Sequence, residues 1–150
     1  MMLSTGHKGS NVREVPPQVL ISLLANHFQQ TQILVMPSWA DLIKTGCFKQ
    51  MPPNFAGWWY TRAAAIARQI YLNPSTSVES LRNKFGQKKH SGPTPNHHCK
   101  CSGKVIRIIC QQLEKIEWVK LGDNGGRIMT SKGQHQLDLI AQEAMKYITK

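Results

Sequence analysis

The sequence predicts a mainly helical, winged-helix-like domain with one small two-stranded hairpin, and three observations predict it. Apolar residues recur at helical spacing in several separate stretches. The segment "WVKLGDNGGRIMT" reads as two short strands around a Gly/Asn-rich turn. A closing amphipathic helix follows that hairpin at once, giving the order helix, wing, helix. With 150 residues, 41% of them apolar, the chain is long enough for one domain with a real core. It divides into a loose N-terminal arm over 1–14, polar and containing Gly and Ser, and a single domain over 15–150.

The elements follow in order. At "PPQVLISLLANHFQQ", prolines open a helix where missing N–H groups cost least, and Val19, Leu20, Leu23, Leu24 and Phe28 form its buried stripe. "QILVMP" is a short apolar link. "SWADLIKTG" has Ser38 and Asp41 at capping spacing and Gly46 as a stop, which predicts a second helix. After the Pro-rich "CFKQMPPNF", a central helix runs from about Phe55 to Leu72. Thr76 and Glu79 have capping-box spacing for a short helix ending near Gly86. Residues 86–101, "GQKKHSGPTPNHHCKC", read as a basic loop. "SGKVIRIICQQLEKIEW" then sets Val105, Ile106, Ile109, Leu113 and Ile116 on one helical face. In the last helix Ser131 and Gln134 have capping-box spacing, and Leu137, Ile140, Ala141 and Ala144 face inward. There is no repeat period and no coiled-coil pattern.

Charge points to the partner. Nineteen Lys and Arg stand against eight Asp and Glu, a net +11, which in a compact chain calls first for nucleic acid. Most of that excess lies between Tyr60 and Cys110, where nine basic residues face one acid, Glu79. No apolar run is long enough to span a bilayer, and the N-terminus has no apolar signal core. The four cysteines, at 47, 99, 101 and 110, lack the density of a disulfide scaffold, and Cys99 and Cys101 are too close for an unstrained bridge. A reducing compartment fits.

On the central helix, Ala63, Ile66 and Ile70 share the core face with Trp59. Trp58, Thr61, Arg62, Ala65 and Arg68 lie on a second face. Guanidinium groups grip phosphates, small residues admit a backbone, and Trp58 offers a ring for stacking, although tryptophan is more often packed than presented. This face predicts RNA contact, with charge reversal at Arg62 and Arg68 blocking that contact and sparing the fold. The basic loop adds Lys88, Lys89, His90, His97, His98 and Lys100, stiffened by Pro93 and Pro95. Lys104 and Arg107 continue the patch into the next helix, whose first N–H groups suit a phosphate.

Other motifs carry less. "HHCKC" holds His97, His98, Cys99 and Cys101, but structural zinc sites draw ligand pairs from separated segments with wider cysteine spacing, so no metal is expected. "GDNGGR" continues as a strand, not a helix, which makes it a hairpin turn and leaves Lys120 and Arg127 to decorate the wing. Glu114 and Glu117 read as surface charge. No Ser/His/Asp grouping or carboxylate pair suggests catalysis, and no cofactor is expected.

Three motifs together, "WWYTRAAAIARQIYL", "GPTPNHHCK" and "GGRIMTSKGQHQLDLIA", closely resemble the nineteen-e family of eukaryotic and archaeal small-subunit ribosomal proteins. The resemblance runs from about Val19 to Ala144. It implies a winged-helix-like protein of the small-subunit head that contacts ribosomal RNA and supports maturation of that RNA. It assigns Trp58, Arg62 and Arg68 to the central-helix surface, Pro95, His97, Lys100 and Arg107 to the basic patch, and Gly126 with Arg127 to the wing. The chain departs from the family pattern at His98 and Cys99, where an aromatic and a serine are usual, and at Lys100 and Cys101, where Arg-Gly is usual.

The expected RNA contacts are therefore Trp58, Arg62, Arg68, Lys88, Lys89, His97, Lys100, Lys104, Arg107 and Arg127. The expected partners are small-subunit ribosomal RNA and neighbouring ribosomal proteins, with no membrane, and the chain acting as a monomer within the ribosome. Its expected place is the cytoplasmic ribosome, and the nucleus or nucleolus during assembly. A winged-helix DNA-binding regulator is the rival reading and predicts a base-reading helix and a dimer. A zinc enzyme would rest on "HHCKC" alone.

Overall fold

The computed structural model describes residues 11–90 and 92–148. Five helices carry it: α1 Pro17–Thr31, α2 Trp58–Leu72, α3 Val78–Lys84, α4 Gly103–Lys115 and α5 Ser131–Ile148. Two antiparallel hairpins complete it, β1 Gln87–Lys89 with β2 His97–Cys99, and β3 Val119–Leu121 with β4 Arg127–Met129. The order α4, wing, α5 matches the winged-helix-like expectation. Among the described residues no helix is long and apolar enough to cross a membrane.

Helix α2 is the centre because two of its sides find apolar partners. It packs on α1, α4 and β4, and Trp59, Ala63, Ile66 and Ile70 are essentially inaccessible. Trp39 and Trp58 meet the Trp59 ring edge-on, at centroid distances of 5.8 and 5.6 Å. At the other end of the core, Trp118 packs on Phe28 at 5.3 Å. Tyr71 of α2 donates to Asp138 Oδ1 of α5 at 2.8 Å. Burial first, and then that bond, push the phenol's pKa up.

Several local expectations are corrected. Of the predicted arm, residues 1–10 lie outside the described residues, but Val12–Glu14 form a 3-10 turn with Val12 fully buried. "SWADLIKTG" forms only a 3-10 turn, Ala40–Leu42, with no side-chain cap. Leu42 is 82% exposed, so the segment has no apolar stripe to hold a longer helix. The central helix begins at Trp58, since Phe55 points outward.

Helix α3 is capped by Ser77, which accepts from the Ser80 N–H at 3.1 Å. Thr76 is buried instead, and its backbone bridges to Arg127 with bonds of 3.1 and 2.7 Å. The cap of α5 shifts by one residue in the other direction, from Ser131 to Thr130, whose Oγ1 accepts from the Gly133 N–H at 3.2 Å. Gly133 lets that helix approach the wing, because a Cβ there would sit 2.4 Å from the Trp118 carbonyl oxygen. On α4, Cys110 joins the buried face, while Ile116 falls past the helix end and is half-buried.

The basic loop is a second hairpin, with Lys88 facing His98 and Lys89 facing His97 in register. Its strands are three residues long and almost wholly exposed, so no apolar alternation marks them in the sequence.

Candidate nucleic-acid interface

The basic residues divide into an exposed set on the β1–β2 hairpin and α4, and a half-buried set on α2 and the wing. Lys88, Lys89, His97, Lys100, Lys104 and Arg107 are exposed. Register alone brings Lys88, Lys89 and His97 together on the hairpin. The backbone then passes directly into α4, because the Cys101 N–H donates to the Arg82 carbonyl and the Ser102 N–H to the Thr45 carbonyl. Lys100 is ion-paired with Glu79, and Lys104 lies over the Trp39 ring at 4.5 Å. Both side chains stay exposed although each ammonium group has a partner.

Arg82 belongs to this group and was not singled out from the sequence. Its Nε donates to the Cys101 carbonyl at 3.0 Å, and it lies against Gly103 at the start of α4, as does the Arg107 guanidinium. Two arginines therefore converge on a helix N-terminus whose first N–H groups have no helical acceptor. The charge count of the segment included Arg82, but only α3–α4 packing places it beside Arg107.

The second side of α2 differs from the expected open surface. Trp58 is 4% exposed, so it packs and does not present a stacking face. Its Nε1 is buried with no hydrogen-bond partner. Arg62 lies on the Phe85 ring, Cζ to centroid 4.8 Å, and its side chain engages the Cys101 thiol. Burial lowers the guanidinium's pKa from its ordinary value, with Cys101 opposing. Arg68 is half-buried and its Nε is shielded without a partner. Trp58, Thr61, Arg62 and Ala65 form one wall of a cleft of about 590 Å³, closed on the other side by Met51, Pro53 and Phe55.

The expectation that reversal at Arg62 spares the fold is therefore corrected. Arg62→Glu sets a carboxylate against an aromatic ring and a thiol in a half-buried position. It is expected to lower unfolding free energy by about 1–3 kcal/mol, while Arg107→Gln at an exposed site changes it by less than about 0.5 kcal/mol. Urea unfolding followed by circular dichroism measures both. Equal stability of Arg62→Glu and the parent chain would contradict the packing described here.

The wing arginine is also not a surface decoration. Arg127 Nε lies 2.5 Å from Glu114 Oε1, with the Arg127 side chain only 13% exposed. Its Nη1 donates to the Gly125 carbonyl at 3.3 Å. Glu114 and Arg127 thus form an internal tie between α4 and the wing. Beside them burial pushes the Cys110 thiol up to about 11, with Arg127 opposing and Glu114 adding to the rise. Glu117 pairs with Lys132 at 3.7 Å across the wing base. Among the described residues no three His, Cys, Asp or Glu side chains converge as a metal site, the "HHCKC" run included.

This geometry supplies basic side chains on an exposed edge. The family model described as Ribosomal protein S19e matches residues 11–147. The chain is 38% identical over 130 residues to small ribosomal subunit protein eS19 of Oryza sativa subsp. japonica, covering 87% of this chain and 89% of that protein. It is 37% identical over 137 residues to eS19G of Ascaris suum, covering 91% and 93%. With eS19 of Emericella nidulans it shares 41% over 135 residues, covering 89% and 91%.

Proposed function

The chain belongs to the ribosomal protein S19e family, and from that premise we propose that it is a structural constituent of the small ribosomal subunit that binds ribosomal RNA. The family is one of ribosomal structural proteins, not enzymes. The observation that carries the RNA reading is the exposed cationic edge formed by Lys88, Lys89, His97, Lys104 and Arg107, with Arg82 behind it. Ammonium and guanidinium groups there neutralise phosphates, and the start of α4 offers backbone N–H donors to one more. The packed core keeps these groups in register, so binding needs little reordering.

Arg62, Arg68 and Trp58 enter this proposal in a changed role. Trp58 and Arg62 shape the cleft beside α2, and Arg62 and Arg68 add positive potential to a neighbouring strand from half-buried positions. Arg127 holds the wing to α4 and acts through placement. A role in maturation of the small-subunit RNA, residence in cytoplasmic ribosomes and earlier nucleolar assembly belong to the same proposal, as do neighbouring ribosomal proteins as partners.

Sedimentation of the tagged chain from a native lysate, with and without RNase, tests the reading. The expected result is cofractionation with small subunits and polysomes that is lost on RNA digestion. Migration only as a free monomer or dimer would overturn it and favour a DNA-binding regulator.

A further inference from the structure

The cleft beside α2 combines apolar walls with positive charge. At about 590 Å³ it falls within the range of small-ligand sites, about 300–1,000 Å³. One wall is the Pro-rich segment, where Met51 and Phe55 stay exposed and so add little to the core. The facing wall carries Trp58, Ala65 and Arg62, whose guanidinium rests on the Phe85 ring at 4.8 Å. Lys49, which is exposed, and Arg62 both line the cleft, and no acid stands among the described lining residues. The Trp58 indole N–H is shielded from water without an acceptor. The cleft is also continuous with the cationic edge. Thr45 lines it and takes the Ser102 N–H on its carbonyl at 2.8 Å, and Phe85 lines it two positions before β1.

We propose that this cleft receives one unpaired base of the bound RNA, turned out of its helix while the flanking phosphates lie on Lys49 and the cationic edge. The inference rests on the RNA-binding reading above and deepens it from backbone contact to a base-binding site. The base stacks on the exposed Phe55 ring and faces Arg62 across the cleft, since unstacked bases pack on aromatic and guanidinium planes. Its carbonyl and ring-nitrogen acceptors supply what the Trp58 N–H lacks, reached by a small shift of the irregular segment 49–55.

Such a site gives the protein a preference that phosphate contacts alone do not. Fully paired A-form RNA keeps its bases stacked and presents none to the cleft, whereas a bulge or a loop does. The cationic edge then holds any RNA helix, and the cleft selects one with an unpaired nucleotide beside it. An apolar peptide segment also suits the walls, but it leaves Lys49 and Arg62 facing no anion. A nucleotide uses the apolar walls and both cations together.

The full chain is titrated, by fluorescence anisotropy, into an RNA duplex carrying one bulged 2-aminopurine and into the same duplex fully paired. The bulged RNA should bind tighter by roughly 5- to 150-fold, the worth of stacking one base. On binding, the 2-aminopurine should become inaccessible to acrylamide quenching. Phe55→Ala should remove most of the preference, and so should Ala65→Met, which fills the cleft and leaves every cation in place. Lys88→Gln with Lys89→Gln should instead weaken both RNAs alike. Circular dichroism of each variant separates loss of the site from loss of fold, and the exposed Phe55 gives the variant with least effect on the core. Equal affinity for the two RNAs would overturn the base site, leave the RNA-binding edge in place and assign the cleft to a protein segment. A preference untouched by both cleft variants would also overturn it. Failure to bind either RNA would overturn the RNA-binding reading itself, and the base site with it.

Discussion

Replacing Trp59 with alanine is expected to lower the unfolding free energy by about 3–5 kcal/mol. The residue is inaccessible to solvent and is gripped edge-on by both Trp39 and Trp58. Its Nε1 also donates to Gln112 Oε1 at 3.1 Å, and Gln112 Nε2 in turn donates to the Val35 carbonyl at 2.6 Å. One side chain therefore links α2, α4 and the segment after α1. Against a total stability of about 5–15 kcal/mol, a loss of this size leaves little folded margin. Trp59→Phe keeps the ring contacts but strands Gln112 Oε1, so it should cost about 1–2 kcal/mol. Guanidinium unfolding monitored by far-ultraviolet circular dichroism reads both values. A Trp59→Ala chain within about 1 kcal/mol of the parent would mean that Trp59 is not the centre of this core.

The largest effect on binding is expected from removing charge on the exposed edge. Converting Lys88, Lys89, Lys104 and Arg107 to glutamine removes up to four phosphate contacts. The log–log salt slope should fall by about 3, and affinity at ~0.1 M salt by roughly 10²- to 10³-fold. All four residues are exposed, so each change should alter stability by less than about 0.5 kcal/mol. Arg127→Gln makes the contrasting control. It strands a carboxylate that is 32% exposed, so it should weaken the fold while leaving the salt slope unchanged. Titration of a structured small-subunit RNA fragment over a range of salt concentrations, using fluorescence anisotropy, separates the two. An unaltered slope in the quadruple variant would move the RNA-binding surface elsewhere on the molecule.

The helices were legible where an apolar stripe ran for three turns or more. The inward faces of α1, α4 and α5 and the Trp59 face of α2 all appear where 3.6-residue spacing puts them. The wing was legible too, because "GDNGG" carries the turn chemistry of a hairpin. The first hairpin was not, since strands of polar, exposed residues leave no period to read. Caps slipped by one residue at Ser77 and Thr130 because neighbouring hydroxyls compete for the same N–H groups. Only the buried position of Thr76 decided the first case. At "SWADLIKTG" a cap pattern was present without a stripe to bury, and the cap alone did not sustain a helix.

What the sequence by itself determined is therefore local and additive: where apolar periods run, where the chain turns, and where positive charge accumulates. These follow from backbone preferences and from residues a few positions apart. What only the tertiary structure decided is which charges remain available. Arg62 is committed to Phe85 and Cys101, Arg127 to Glu114, and Trp58 to Trp59, while Arg82 is delivered to Arg107. Apart from the Trp58–Trp59 contact, each of those pairings joins residues well separated along the chain. Burial then changes what a charged or aromatic side chain can do, because a group shielded from water must be satisfied by its new neighbours before it can serve a partner.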